Sequence, residues 1–297
     1  MLQNKPTASY SSDTPMPELP EVEVVRAGLA SFVVGTGITN VRIHHPRANR
    51  RNVGDLPTQL DGAVIVGVAR RGKYMWLELD RPFVLMIHLG MSGQIRVNDS
   101  PSDHPHLRLN WNVIRPPGPE RYFEFLDQRT FGGLFISDRD QDGQPLAISH
   151  IARDPFDPLF DDDLFATSIM KRSTQVKRAL LDQNLISGIG NIYADECLWR
   201  VGLDGATPCD QLERTVVAEI IKAVTEVMKE ALVAGGTSFD RLYVNVNGES
   251  GYFSRSLAAY GREGEPCYQC GNPIIRSKFT NRSSFHCLTC QPPWLLP

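Results

Sequence analysis

Long hydrophobic runs are missing from this 297-residue chain. The best candidate, Phe83 to Met91, is short and interrupted by His88, well under the ~18 consecutive apolar residues a membrane span needs. The first fifteen residues also lack an apolar core: Gln3, Asn4, Ser9, Ser11 and Asp13 make them no secretory signal. No internal repeat is visible. Apolar residues themselves are not scarce, at 41%, which excludes disorder for want of a core. A soluble, cytoplasmic protein of roughly two ~150-residue domains is expected.

A surplus of either charge is missing too. The net charge is -3 and the pI about 6.2, which argues weakly against a nucleic-acid binder. The average hides separate territories. Between Arg26 and Lys73, eight Lys and Arg face only Asp55 and Asp61; between Glu120 and Asp163, eleven acids face four arginines. From Arg241 onward, six basic residues face three glutamates. A basic face on an acidic protein is therefore consistent with the sequence.

Cysteines are few, and four of the six are placed with regularity: Cys267-x2-Cys270, sixteen residues, then Cys287-x2-Cys290. Two such knuckles can close a tetrahedral thiolate shell around one structural zinc ion, with the sixteen-residue insert long enough for a β-hairpin. A redox or iron–sulfur site is the rival. So short a tail has little core of its own, so metal would supply most of its folding energy. The insert carries Arg276, Lys278 and Arg282 and no acid, which suits either a phosphate-presenting hairpin or a solvated basic turn.

Residues 1–16 show no periodicity and read as a disordered leader. An apolar stripe at Val22, Val25, Leu29 and Phe32 then predicts a helix, with Pro17 and Glu18 just outside it. From Ile38 to about Ile136, short β-branched and aromatic runs broken by Gly, Pro and Asp predict an antiparallel sandwich or barrel. Arg153–Asp163, rich in aspartate and proline, reads as a linker. Helical periodicity follows at Phe165–Met170, Gln175–Leu185, Ile192–Trp199 and Leu212–Val233. The resulting division is 17–150, a linker at 151–163, 164–255 and a cysteine module at 256–297.

Two further segments admit a chemical reading. Two helices meet across a Gly-rich turn before Asn191, where free backbone N–H groups suit an anion, although Asn191 also reads as an ordinary cap. Pro17-Glu18 is either a helix preamble or, were Pro17 a mature N-terminus, a secondary amine beside a carboxylate. An α-amino group of pKa roughly 8 is partly neutral and nucleophilic at neutral pH.

Four segments together, PELPEVE (17–23), RRGKY (70–74) with HLGMSG (88–93), GIGNIYADE (188–196) and YGREGEPC with the three later cysteines (260–290), resemble the formamidopyrimidine-DNA glycosylase family of base-excision repair enzymes. The resemblance implies an α+β protein: an N-terminal antiparallel β-sandwich with a flanking helix, then a helix–two-turns–helix domain with a zinc-finger β-hairpin. Damaged double-stranded DNA would lie between them, bound by a monomer. It implies Pro17 as the nucleophile forming a Schiff base, Glu18 as general acid/base, Lys73 assisting excision and β-elimination, and Arg282 serving phosphate binding and δ-elimination. Asn191 matches a phosphate contact and His104 a DNA contact, and Arg172 falls near another. Met91, Arg129 and Phe131 match the residues that fill the space left by a flipped base. Gly236 to Tyr252 resembles the loop covering that base.

The resemblance also separates competing readings. The endonuclease VIII-like branch, which removes oxidised pyrimidines, usually begins Pro-Glu-Gly-Pro-Glu; Leu19 replaces that glycine here, favouring oxidised purines such as 8-oxoguanine. A non-catalytic zinc-finger DNA-binding protein would have no need of Pro17, Glu18 and Lys73. The leader conflicts with a free Pro17 unless translation begins at Met16.

Overall fold

The computed structural model describes residues 16–115, 117–236 and 256–294. Helix α1 (Leu19–Val33) carries Pro20 in its first turn, where a missing N–H leaves nothing unsatisfied. The Glu21 carboxylate reaches back to accept the Glu18 N–H at 2.9 Å, fixing the approach of Pro17-Glu18.

Eight strands then form two four-stranded antiparallel sheets. One has the order β1 (Gly37–Ile43), β6 (Leu107–Ile114), β7 (Arg121–Asp127), β5 (Gly93–Asn98); the other has β2 (Ile65–Arg71), β3 (Tyr74–Leu79), β4 (Phe83–His88), β8 (Gly133–Asp138). A short helix α2 (Leu56–Leu60), not anticipated from periodicity, starts where the Asp55 carboxylate accepts the Thr58 N–H. Ile38, Leu77, Leu85, Ile95, Trp111 and Phe123 fill the space between the sheets, with Trp111 and Phe123 stacked at 3.5 Å. The sandwich expectation holds, because alternate inward residues of both sheets share one core.

The second half is helical: α3 (Asp162–Met170), α4 (Val176–Leu180), α5 (Asn191–Val201) and α6 (Arg214–Val233). Helix α3 begins three residues before its apolar stripe, because Asp161 caps the Leu164 N–H and Asp162 and Asp163 favour the positive helix end. Helix α4 is shorter than the pattern suggests: beyond Leu180 the side chains of Asp182 and Gln183 take up backbone groups of the following turn. Strands β9 (Ile275–Phe279) and β10 (Arg282–His286) form a hairpin against α5. No described helix is long and apolar enough to cross a membrane.

Helix α1 ties the halves together. Leu19 belongs to the helical core, while Val22, Leu29 and Val33 belong to the sandwich core. Its first residues therefore sit at the junction.

Candidate active site

The junction places Glu18 at the start of α5. Its buried carboxylate accepts the N–H groups of Gly190 at 2.6 Å, Ile192 at 2.9 Å and Tyr193 at 3.4 Å, the orphan donors of that helix. The approach demands glycine: a Cβ on Gly190 would lie 2.3 Å from the Glu18 carboxyl carbon. Burial, with Glu21 adding to the effect, pushes the Glu18 carboxyl up to about 7, against the pull of Lys73 and of the Ile192 and Gly190 N–H groups. Pro17, also buried, precedes it directly, and Leu19 N–H closes the contact on Gly188 C=O at 3.0 Å.

Lys73 is the second residue of the β2–β3 turn and is half-buried. Burial lowers its ammonium, Glu18 and Glu21 oppose the shift, and Arg282 adds to it. Lys73 thus interacts electrostatically with both Glu18 and Arg282, each far from it in sequence. Arg282 itself is exposed at the start of β10. Asn191, the first residue of α5, donates its side-chain amide to Ser283 C=O at 2.8 Å, beside Arg282; its Oδ1 is enclosed and has no partner among the described residues.

A second cluster arises from topology. The β4–β5 and β7–β8 connections both cross between the sheets at the same end, since His88 pairs with Gly133 and Gly93 with Asp127. Met91 therefore lies on a loop running beside that of Arg129 and Phe131. The buried Asp127 carboxylate locks the two together, accepting from Ser92 Oγ at 2.5 Å, Gly132 N–H at 2.8 Å and Arg129 N–H at 3.2 Å. A Cβ on Gly90 would meet Gly132 N at 2.6 Å. Phe131 remains 43% exposed, unusual for so large an apolar side chain, with the Arg129 guanidinium 5.2 Å from its ring. Next to it Arg47, Arg50 and Arg51 line a small cleft around His88, and Arg50 donates to the carbonyls of Thr130 and Phe131. Burial and the charges of Arg51, Arg50 and Lys73 push His88 down to about 4.

His104, in the β5–β6 loop, contacts His106 at 5.6 Å between ring centres and is lowered by burial and by Arg96. Arg172, just after α3, pairs with Asp182, just after α4, at 2.6 Å. Of the loop expected over a flipped base, residues 237–252 lie outside the described residues.

Cys267, Cys270, Cys287 and Cys290 converge, with all four sulfurs within 4.8 Å of one another. Thiolates on a tetrahedral ion with bonds of ~2.3 Å stand about 3.8 Å apart, so the donor set fits one metal ion. Trp199 donates its indole N–H to Cys267 Sγ at 3.3 Å, bracing the finger on α5.

Sequence reasoning missed the buried charges that hold these parts in place. Lys177, fully buried, pairs with Asp195 at 2.6 Å and donates to Ser283 C=O at 3.3 Å; Asp195 also accepts from Ser284 Oγ and Phe285 N–H. Glu196 accepts the N–H groups of Ala258, Ala259 and Tyr260 at 2.8–2.9 Å. Tyr193 donates its hydroxyl to Glu21 at 2.8 Å. The signal was present for Asp195 and Glu196, two acids inside an otherwise buried helix, but their partners are too remote in sequence to read.

Comparison with known proteins gives a consistent answer. The family model described as the formamidopyrimidine-DNA glycosylase N-terminal domain matches residues 16–134, and that of the H2TH domain of the same enzymes matches 151–241. The formamidopyrimidine-DNA glycosylase of Thermobifida fusca is 53% identical over 289 residues, covering 93% of this chain and 98% of the relative; that of Mycolicibacterium smegmatis is 54% identical over 283 residues. A solved complex of the Lactococcus lactis Fpg with DNA containing an abasic site superposes with a TM-score of 0.82 at 31% identity, covering 93% of this chain and 100% of that one. Both halves match models of the same enzymes, and relatives above 50% identity cover 93% of the chain: the chain belongs to the formamidopyrimidine-DNA glycosylase family.

Proposed function

We propose that the chain, with Pro17 as its amino terminus, excises oxidised purines such as 8-oxoguanine and formamidopyrimidines from damaged double-stranded DNA and cleaves the abasic site it creates. The observation that carries this reading is the junction, where buried Glu18, next to Pro17, meets the N-terminal N–H groups of α5 and interacts electrostatically with Lys73, which in turn feels Arg282.

Ionised Glu18 accepts a proton from the Pro17 ammonium, leaving a neutral secondary amine. Its lone pair forms a bond to the sugar C1′ while the glycosidic bond breaks and its electrons leave with the base. Opening of the sugar ring gives an iminium, an electron sink that permits loss of the C2′ proton and expulsion of the 3′ phosphate; Arg282 serves the second elimination. Lys73 supplies positive charge to the leaving base and the phosphates. The N–H groups of Gly190, Ile192 and Tyr193 at the α5 N-terminus are taken by Glu18, so the phosphate contact falls to the Asn191 side chain. His104 and Arg172 serve as further DNA contacts, and Met91, Arg129 and Phe131 occupy the vacated stack. Zinc is the metal we assign to the four thiolates; a closed shell leaves no open position, so its contribution is to hold the Arg282 hairpin.

Borohydride reduction tests the assignment. Protein beginning at Pro17 is expected to give a covalent adduct with an 8-oxoguanine·cytosine duplex, mapping to Pro17. Protein retaining residues 1–16 is expected to give none, because its Pro17 nitrogen is an amide whose lone pair is delocalised. Trapping at Lys73, or equal activity with the leader attached, overturns the assignment.

A further inference from the structure

The segment joining the two halves contains a carboxylate that the chemistry above does not use. Asp154 is 2% exposed, and four donors converge on it. Its Oδ2 accepts the Gly72 N–H at 2.9 Å and Arg70 Nη1 at 2.9 Å; its Oδ1 accepts Phe156 N–H at 3.2 Å and Arg70 Nη2 at 3.4 Å. Such convergence on a nearly dry carboxylate is far more than a connecting segment needs.

The geometry points to Asp154 as a positioning residue for Lys73, holding the β2–β3 turn so that the Lys73 ammonium faces Glu18. Asp154 pins the Gly72 N–H, and it also orients Arg70, whose Nη1 donates to Gly72 C=O at 3.1 Å. Both ends of Gly72 are therefore fixed, and its carbonyl belongs to the peptide plane that sets the direction of Lys73. From the other side Glu23 accepts from Arg70 Nε at 2.9 Å, so the guanidinium cannot swing away.

The turn has no room to drift. Gly72 has φ +54°, and a Cβ there would lie 2.7 Å from the Ser187 side chain. Ser187 N–H is in turn held by Arg153 C=O at 3.3 Å, next to Asp154, and Ser187 begins the turn that delivers Gly188 and Gly190 to Leu19 and Glu18. One short segment, 153–154, thus fixes both walls of the pocket: the lysine from the sandwich and the glycine turn from the helical half. Loss of the Asp154 anchor frees the lysine without touching any group that meets DNA. A misplacement of about 1 Å remote from the chemistry is worth up to roughly a hundredfold in rate.

The inference rests on the role given above to Lys73, and its test keeps the two separable. Protein beginning at Pro17 would be assayed for single-turnover excision of 8-oxoguanine and for affinity to a duplex with a tetrahydrofuran abasic analogue, as parent, Asp154→Ala, Lys73→Ala and the double variant. Asp154→Ala is expected to slow excision about tenfold to a hundredfold with affinity within about twofold of the parent. In the Lys73→Ala background the same change is expected to add less than about twofold, since its effect runs through Lys73. Asp154→Asn keeps the volume and an acceptor for Gly72 N–H, and covers the case in which the alanine variant fails to fold; it is expected to show the same non-additivity with a smaller loss. Losses that multiply in the double variant, or unchanged excision in both Asp154 variants, overturn the inference. A parent that forms no adduct overturns the functional reading itself.

Discussion

Glu18→Gln offers a test whose size can be worked from the structure. In the folded protein the carboxyl is pushed up to about 7 from an ordinary value of 4.5, chiefly by burial. The folded state therefore binds the proton more tightly than the unfolded chain. Glu18 contributes its full stabilisation below about 4.5, and loses it as the pH rises towards about 7. At ~1.4 kcal/mol per pKa unit the loss is about 3 kcal/mol across that interval. Glutamine cannot titrate. Its amide NH2 also replaces one of the two oxygens and so faces the N–H of either Gly190 or Ile192, a penalty that does not vary with pH. Urea denaturation of parent and variant at pH 4.5 to 8 gives the difference, since titrating groups that do not interact with Glu18 cancel. The parent is expected to be the more stable at acid pH, with the gap closing or reversing above about 7. The same variant is expected to lose the rise in excision rate through about pH 7 while retaining lesion binding. Stability curves that run parallel across this range would refute the burial argument.

Three further outcomes follow from the finger and its support. Arg282→Ala is expected to leave products stalled after β-elimination and to reduce the salt slope of DNA binding by about one; gel analysis and binding at several salt concentrations check this. Lys177→Met strands the Asp195 charge in a site 2% exposed and is expected to cost about 3–5 kcal/mol in chemical denaturation, with much of that recovered in Lys177→Met/Asp195→Asn. Metal analysis is expected to find about one zinc per chain, and Cys267→Ser to lower DNA affinity more than it lowers folding of the sandwich, read from near-UV circular dichroism and binding side by side.

What the sequence determined by itself was local. Pro20 and the 22/25/29/32 stripe specify where α1 begins and which face it buries, because both depend on residues within a few turns of one another. The cysteine spacing specifies the four-thiol cluster, and the alternating runs specify strands, for the same reason. Four separated motifs were enough to identify the lineage, but not to say how they meet. That was decided by tertiary structure. Glu18 and its helix-end donors lie more than 170 positions apart, as do Glu21 and Tyr193. No periodicity shows that Lys177 and Asp195 neutralise each other under the hairpin, or that Asp154 reaches Gly72. Side-chain hydrogen bonds and ion pairs between remote segments leave no period in the chain, and only folding brings their partners within 3 Å, where burial turns ordinary acids and lysines into a site.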